Sequence, residues 1–349
     1  MFADNDFSVN QYIPTKFTPS RHPGLCFNDG NIAILTGQYY FLIHQGLLCR
    51  HSPALDCAIK ALDSTCSSAR LEGRPVLHLD DSPDEMYHFL SALYDGVSHI
   101  KYTNKTFSKV SSLLRLCTHY QVGHLRQELL RGLSATWPTT LQGWDAREAA
   151  ATNVAGLYEP REKYPHPILV INLSCDISAH EILPSAFYDL SRSTPSSIVE
   201  GFRTSGVGFS SVHVLSSDCL VSLLKGREHA SRFLSTFIVN QLEGRAPASE
   251  CIHRQQLDST RQRVCQAVFE AITFEMLRDA NGVVCHRSSD PLFAIMDAEL
   301  IQTTYDRQST NLRPCEYCRS EFSSIVDAAR AEFWRLLPEW FGIDVPSWG

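Results

Sequence analysis

The sequence predicts an α+β chain in two parts, a compact domain of short strands and capped helices over residues 24–135 and a mainly helical region over residues 141–349. Three observations carry this. The turn signal Asn28-Asp29-Gly30-Asn31 stands before two strand-like runs, Ile32 to Ile34 and Tyr39 to Ile43, separated by Thr36-Gly37. Ser82-Pro83-Asp84-Glu85 places a cap, a proline and two acids in the order that favours a helix start. Near the other end, Phe322, Ile325, Val326, Ala329, Phe333 and Leu336 line one helical stripe between about Glu316 and Leu337. A chain of 349 residues also exceeds the usual size of one core, so two or three domains are expected.

Taken in order, residues 1–23, with Pro14, Pro19 and Pro23, show neither period and read as a flexible arm. The hairpin follows. Leu47-Leu48-Cys49 begins a short helix that stops near Ser52-Pro53, where the serine caps and the proline opens a second. After a polar stretch from Asp63 to Arg74, Pro75 to Leu79 alternates as a strand. The helix from Ser82 to Tyr94 turns Met86, Phe89, Leu90 and Leu93 inward and ends at Asp95-Gly96. Two more helices are read from Ser111 to Tyr120 and from Val122 to Leu133, giving the order β-β-α-α-β-α-α-α. Beyond residue 141 a short strand pair is expected at Ile168 to Leu173 and His213 to Leu215, both brief, apolar and β-branched. A helix is expected from about Arg261 to Ala280.

The ordered set Phe27-Asn28-Asp29-Gly30-Asn31-Ile32-Ala33-Ile34, Phe41-Leu42-Ile43-His44, Leu48 and Ser52-Pro53 resembles the first half of the BTB/POZ fold. Val76-Leu77-His78-Leu79-Asp80-Asp81-Ser82-Pro83, Phe89-Leu90 and Leu93-Tyr94-Asp95-Gly96 resemble its third strand, following helix and tyrosine-glycine exit. The resemblance covers about a third of the chain. Further on, His213-Val214-Leu215-Ser216-Ser217-Asp218, Gly226-Arg227-Glu228, Cys315-x-x-Cys318 and Phe333-Trp334-x-x-Leu337-Pro338 resemble a large fungal group of BTB proteins. The resemblance implies an adaptor that binds a protein partner through this domain, with a cullin-type ubiquitin-ligase scaffold as one candidate, in the cytoplasm or nucleus. Two departures are plain. The proline-rich arm supplies no amphipathic helix for the strand-exchanged dimer of animal-type members, which leaves homodimerisation open. The apolar-x-Glu element of cullin-recruiting members is absent from Ala58-Ile59-Lys60-Ala61-Leu62-Asp63, and Arg70-Leu71-Glu72 does not supply it.

Composition narrows the function classes. With 44% hydrophobic and 20% charged residues the chain can bury ordinary cores. A net charge of -7 and a pI near 6.0 give no basic footprint for a nucleic-acid backbone, so direct nucleic-acid binding is not expected. The start Met1-Phe2-Ala3-Asp4-Asn5-Asp6 is acidic where a secretory signal is basic, and no apolar run nears the ~18 to 20 residues of a spanning helix. Twelve cysteines scattered through such a chain are expected to be reduced thiols.

Catalytic motifs are missing. There is no Gly-x-Ser-x-Gly elbow, and His180-Glu181-Ile182-Leu183-Pro184 lacks the second histidine of a zinc helix. Gly206-Val207-Gly208-Phe209-Ser210-Ser211 lacks the third glycine of a dinucleotide loop and reads as a turn. His44, with Cys49 and Asp56 nearby in sequence, reads as structural. No enzyme is expected. The alternative is an enzyme or ligand-binding protein whose site the C-terminal helical region assembles from distant residues. The one metal-like signal is Cys315-Glu316-Tyr317-Cys318, whose two-residue gap suits two thiolates on one tetrahedral zinc. Cys251 and Cys265 are the best second pair for a structural zinc, with His253, Cys285 and His286 as rivals and buried free thiols as the bland reading. Trp334, Trp340 and Trp348 form either a docking surface or a staple for the chain around them.

Overall fold

A computed structural model describes residues 18–63, 69–154, 157–206, 209–278, 289–300, 303–305 and 310–349. It divides into two units, Met1–Gly132 and Leu133–Gly349.

The N-terminal unit is built on strands β1 (Ser20–Arg21), β2 (Ile32–Thr36), β3 (Tyr39–Ile43), β4 (Arg70–Leu71) and β5 (Arg74–His78), in the order β1-β3-β2-β5-β4. The β2–β3 hairpin turns at Gly37, whose φ of 52° lies where side chains are strained. β5 then joins β2 in parallel, Ala33 beside Val76, which demands a long crossover. Helices α1 (Gln45–His51) and α2 (Pro53–Asp63) supply it. Both faces of the hairpin are covered: Ile32, Ile34, Phe41 and Ile43 are buried, as are Ala33, Leu35, Tyr40, Leu42 and Val76, which cluster with Cys26 and Leu71.

Three helices complete the unit, α3 (Pro83–Asp95), α4 (Phe107–His119) and α5 (Gly123–Thr136), so the expected order is observed, with short β1 and β4 added. The contact division falls within the last turn of α5. Ser52 works as its position suggests: its Oγ accepts the Leu55 N–H at 3.0 Å, opening α2, and donates to the Tyr120 carbonyl at 2.5 Å. Ser82 caps α3 by accepting the Glu85 N–H at 3.3 Å, and Met86, Phe89, Leu90 and Leu93 are buried along it. His44 is held at the strand-to-helix corner, where the Tyr94 hydroxyl accepts its backbone N–H at 3.1 Å and lies 2.8 Å from its Nδ1. α4 begins four residues before the expected Ser111, because Phe107 and Val110 also face inward (111 − 107 = 4).

Residues 1–17 of the expected arm lie outside the described residues, but its last part is not an arm. Ser20 and Arg21 pair with Tyr39 and Tyr40, and the His22 ring stacks on Phe41 at 4.6 Å and Tyr87 at 4.9 Å. A two-residue strand is too short to show a period, so its backbone pairing leaves no trace in the sequence.

The C-terminal unit is mainly helical: α6 (Leu141–Ala150), α7 (Pro160–Lys163), α8 (Pro167–Asp176), α9 (Leu183–Ser191), α10 (Pro195–Glu200), α11 (Ser217–Phe237), α12 (Ser259–Gln262), α13 (Val264–Arg278), α14 (Pro291–Leu300) and α15 (Glu316–Phe341). Two hairpins interrupt it, β6 (Phe202–Gly206) with β7 (Phe209–His213), and β8 (Thr303–Tyr305) with β9 (Thr310–Leu312). α15 packs against α9, α11 and α14 through Phe322, Val326, Phe333, Leu337 and Phe341, a stripe slightly rotated from the expected one. Gly226 in α11 admits the Phe341 ring, since a Cβ there would stand 2.0 Å from its Cε1. Trp334 and Trp340 are buried, and half-buried Trp348 folds back to stack on Trp334 at 5.2 Å and donate to its carbonyl at 2.7 Å, the staple of the two expectations.

The expected strand at Ile168 to Leu173 is corrected. That run lies in α8, opened by Pro167 and by the His166 ring, which accepts the Ile168 N–H at 3.3 Å. Ile168, Val170, Ile171 and Leu173 are all buried, and a short apolar run of this length reads the same in a buried helix turn as in a buried strand. His213 instead closes β7, paired with Phe202 of β6. Residues 207–208 of the glycine-containing turn lie outside the described residues. The helix expected from Arg261 is divided into α12 and α13, and residues 279–280 at its end are likewise outside.

Replacing Leu93 by alanine is expected to lower unfolding free energy by about 2 to 5 kcal/mol, because its side chain is buried in a packed core. Equilibrium urea unfolding measures it, and a loss under about 1 kcal/mol would reject the α3 packing.

Candidate metal centre

Four cysteine sulfurs converge in the C-terminal unit. Cys315 is the N-cap of α15, Cys318 sits in its first turn, Cys265 is in the first turn of α13, and Cys251 lies in the loop after Ala248. All four sulfurs lie within 4.8 Å of one another and all four residues are buried. Cys251 Sγ is 3.7 Å from both Cys265 Sγ and Cys315 Sγ. Backbone amides turn toward the group: Ala248 N–H donates to Cys318 Sγ and Cys315 N–H to Cys265 Sγ, each at 3.3 Å.

This environment favours thiolates at one end. Burial pushes the Cys315 thiol up, but the backbone N–H groups of Cys318 and Ile252 outweigh it and draw the thiol down to about 7. Burial instead pushes Cys318 up to about 12 and Cys265 further in the same direction. Several sulfurs cannot be charged together in so small a volume without a counter-charge, and the positive ends of α13 and α15 supply only part of it. The arrangement can hold a metal ion through four sulfurs. The sequence nominated these four cysteines, and the structure brings them together. His253 is not in the group, and Cys285 and His286 lie outside the described residues.

A second cluster left no mark in the sequence. Asp189 of α9 is buried and accepts from three guanidiniums: Arg147 at 2.8 Å, Arg161 at 2.7 and 2.9 Å, and Arg192 at 2.7 Å. Arg192 also reaches Glu148 and Asp290, each at 2.7 Å, and Arg147 reaches Glu148 at 2.7 Å. Tyr188 donates to Asp290 at 2.7 Å, and the Arg147 guanidinium lies 4.5 Å over the Trp137 ring, 4.7 Å over Trp144 and 4.5 Å over Tyr164. Three cations and three anions balance in this group, and each carboxylate is committed to partners. It holds the unit together and offers no idle base for catalysis.

No known protein-family model matches the chain, and no curated protein matches it significantly. No helix among the described residues is long and apolar enough to cross a membrane.

Burial alone would raise the Asp189 carboxyl, but Arg161, Arg147 and Arg192 hold it well below its ordinary 3.8. A depressed carboxyl stabilises the fold above its unfolded value, so this contribution is complete above about pH 4 and is lost as pH falls toward the folded value. Asp189→Ala is expected to destabilise the unit by about 3 to 5 kcal/mol, since three buried guanidiniums lose a shared partner. Denaturant unfolding from pH 7 down to pH 2 checks both parts: the variant's deficit should shrink below pH 4, and a deficit that grows there would refute the account.

Proposed function

We propose that this chain is a protein-interaction adaptor, with a BTB/POZ-like N-terminal unit that binds a protein partner and a helical C-terminal unit closed by one structural zinc. The observation that carries the zinc is the sulfur spacing. A tetrahedron of sulfurs with zinc–sulfur bonds of about 2.3 Å has edges of about 3.8 Å, and Cys251 Sγ stands 3.7 Å from two of its neighbours. Cys251, Cys265, Cys315 and Cys318 would be the ligands. Four protein ligands close the coordination shell, which suits a structural ion and leaves no position for a catalytic water.

Support for the BTB/POZ-like reading comes from where its signature residues meet. His44 and Tyr94 share a contact, Ser52 joins the start of α2 to Tyr120, and β2 lies between its hairpin partner and the crossover strand. A cullin-type scaffold is the partner candidate to try first. The enzyme reading finds no support in the second cluster, whose acids are all paired.

Protein purified without added metal should carry about one zinc per chain by elemental analysis, with four thiols protected from titration in the native state. Cys318→Ser should lose most of that zinc and melt at lower temperature, because metal binding and folding are coupled. Less than one zinc, with all twelve cysteines equally reactive after gentle unfolding with or without chelator, removes the metal reading.

The adaptor reading has its own test, affinity capture with mass spectrometry on the full chain and on a chain lacking residues 24–135. A partner set lost with that segment supports it, and an unchanged set overturns it. Calorimetric titration with a purified cullin N-terminal domain then decides that candidate: binding at micromolar or tighter supports recruitment, and no binding removes it.

A further inference from the structure

Outside the four-sulfur centre, a second pair of thiols meets. Cys175 lies in the last turn of α8 and Cys219 in the first turn of α11, with their sulfurs 3.6 Å apart. Cys175 is exposed and Cys219 partly so, so the pair is open to solvent rather than sealed in a core. The two segments are also fastened beside the pair, since the Asn172 side chain donates to the Val214 carbonyl at 3.0 Å. Ser216, the N-cap of α11, accepts the Cys219 N–H at 3.2 Å and fixes that thiol at the positive end of a 21-residue helix.

We propose that Cys175 and Cys219 are a peroxide-sensitive thiol pair, with Cys219 the attacking sulfur and Cys175 the resolving one. The two roles follow from their surroundings. Cys219 stands at the positive end of α11 and Cys175 at the negative end of α8, and the neighbouring Cys175 and Ser216 side chains draw Cys219 down to about 6 against burial and Asp218. Cys175 is driven the other way by its hydrogen bond with Cys219, by burial and by the charges of Cys219 and Asp176, so it keeps its proton. One thiolate beside one thiol is the arrangement that thiol oxidation uses.

The chemistry balances with a hydroperoxide as oxidant. The Cys219 thiolate attacks the peroxide oxygen, the O–O bond breaks, and the sulfur becomes a sulfenic acid while an alcohol or water leaves after protonation. The Cys175 sulfur then attacks the Cys219 sulfur, its proton goes to the departing hydroxyl, and the S–O bond breaks as the S–S bond forms with loss of water. Two thiols are oxidised by two electrons and the hydroperoxide is reduced by two. The product ties α8 to α11 across 44 residues of chain, enclosing α9, α10 and the β6–β7 hairpin.

Tryptic mapping tests this cleanly, because Cys175 falls alone in peptide 164–192 and Cys219 alone in peptide 204–225. After brief exposure of the intact protein to hydrogen peroxide and alkylation of remaining thiols, these two peptides should appear joined and two hydrogens lighter, while exposed Cys57 stays alkylated. In Cys175→Ser, dimedone should trap a sulfenic acid at Cys219. In Cys219→Ser, Cys175 should stay unoxidised at the same dose. Iodoacetamide labelling of Cys219 should show a midpoint near pH 6 that rises in Cys175→Ser. Circular dichroism of both variants controls for folding. Oxidation of Cys219 no faster than of Cys57, or cross-links to other cysteines in equal amount, would overturn the proposal.

Discussion

Asp189 must be ionised and buried at once, and the C-terminal unit is arranged around that requirement. Removing a carboxylate from water is unfavourable unless its lone pairs are engaged, so three arginines from three places in the chain have to arrive together. Arg147 comes from α6, Arg161 from α7 and Arg192 from the end of α9. Through Arg192 the same cluster reaches Asp290, just before α14, and Tyr188 completes the link. The aromatic rings around Arg147 exclude water and accept its positive faces. Such a network adds little net stability over an apolar core of equal volume. Breaking it is another matter, because a helix displaced by one turn would leave a buried charge unmatched.

How much of this was legible depended on how far apart the interacting residues stand. Ser52-Pro53 and Ser82-Pro83 announced α2 and α3 because a cap acts within three residues of itself. Gly37 announced the hairpin for the same reason. Asp189 and Arg192 are three apart and belong to one helical turn, yet their other partners lie between 28 and 98 residues away, where periodicity carries no information. The α8 run was misread because Ile168, Val170 and Ile171 are β-branched and buried, and a run that short is too brief to separate a helical period from a strand.

The cysteines divide along the same line. Cys315 and Cys318 were visible as a knuckle because two ligands at that gap are chelating by themselves. Cys251 and Cys265 could be nominated only because they bracket a polar stretch and Cys265 falls in the first turn of a helix, and convergence with the knuckle needed three-dimensional packing. Cys175 and Cys219 gave no sign, since an isolated cysteine near a helix end has no pattern. What makes them a pair is the approach of the end of α8 to the start of α11, beside the Asn172 link to Val214.

The sheet of the N-terminal unit has a consequence for how the chain assembles. β2 and β3 meet across a two-residue turn, so their pairing needs only a small loop closed and belongs to the microsecond events of hairpin formation. β5 is different: Leu77 aligns with Ile34 across 43 positions (77 − 34 = 43), so their parallel pairing closes a far longer loop, the one that carries α1 and α2. Until that strand docks, β2 exposes a row of unpaired backbone groups flanked by Ile32, Ile34 and Leu35. An unpaired β2 edge of this kind is the sort of surface on which another chain can add a strand, and β5 covers it in the folded unit.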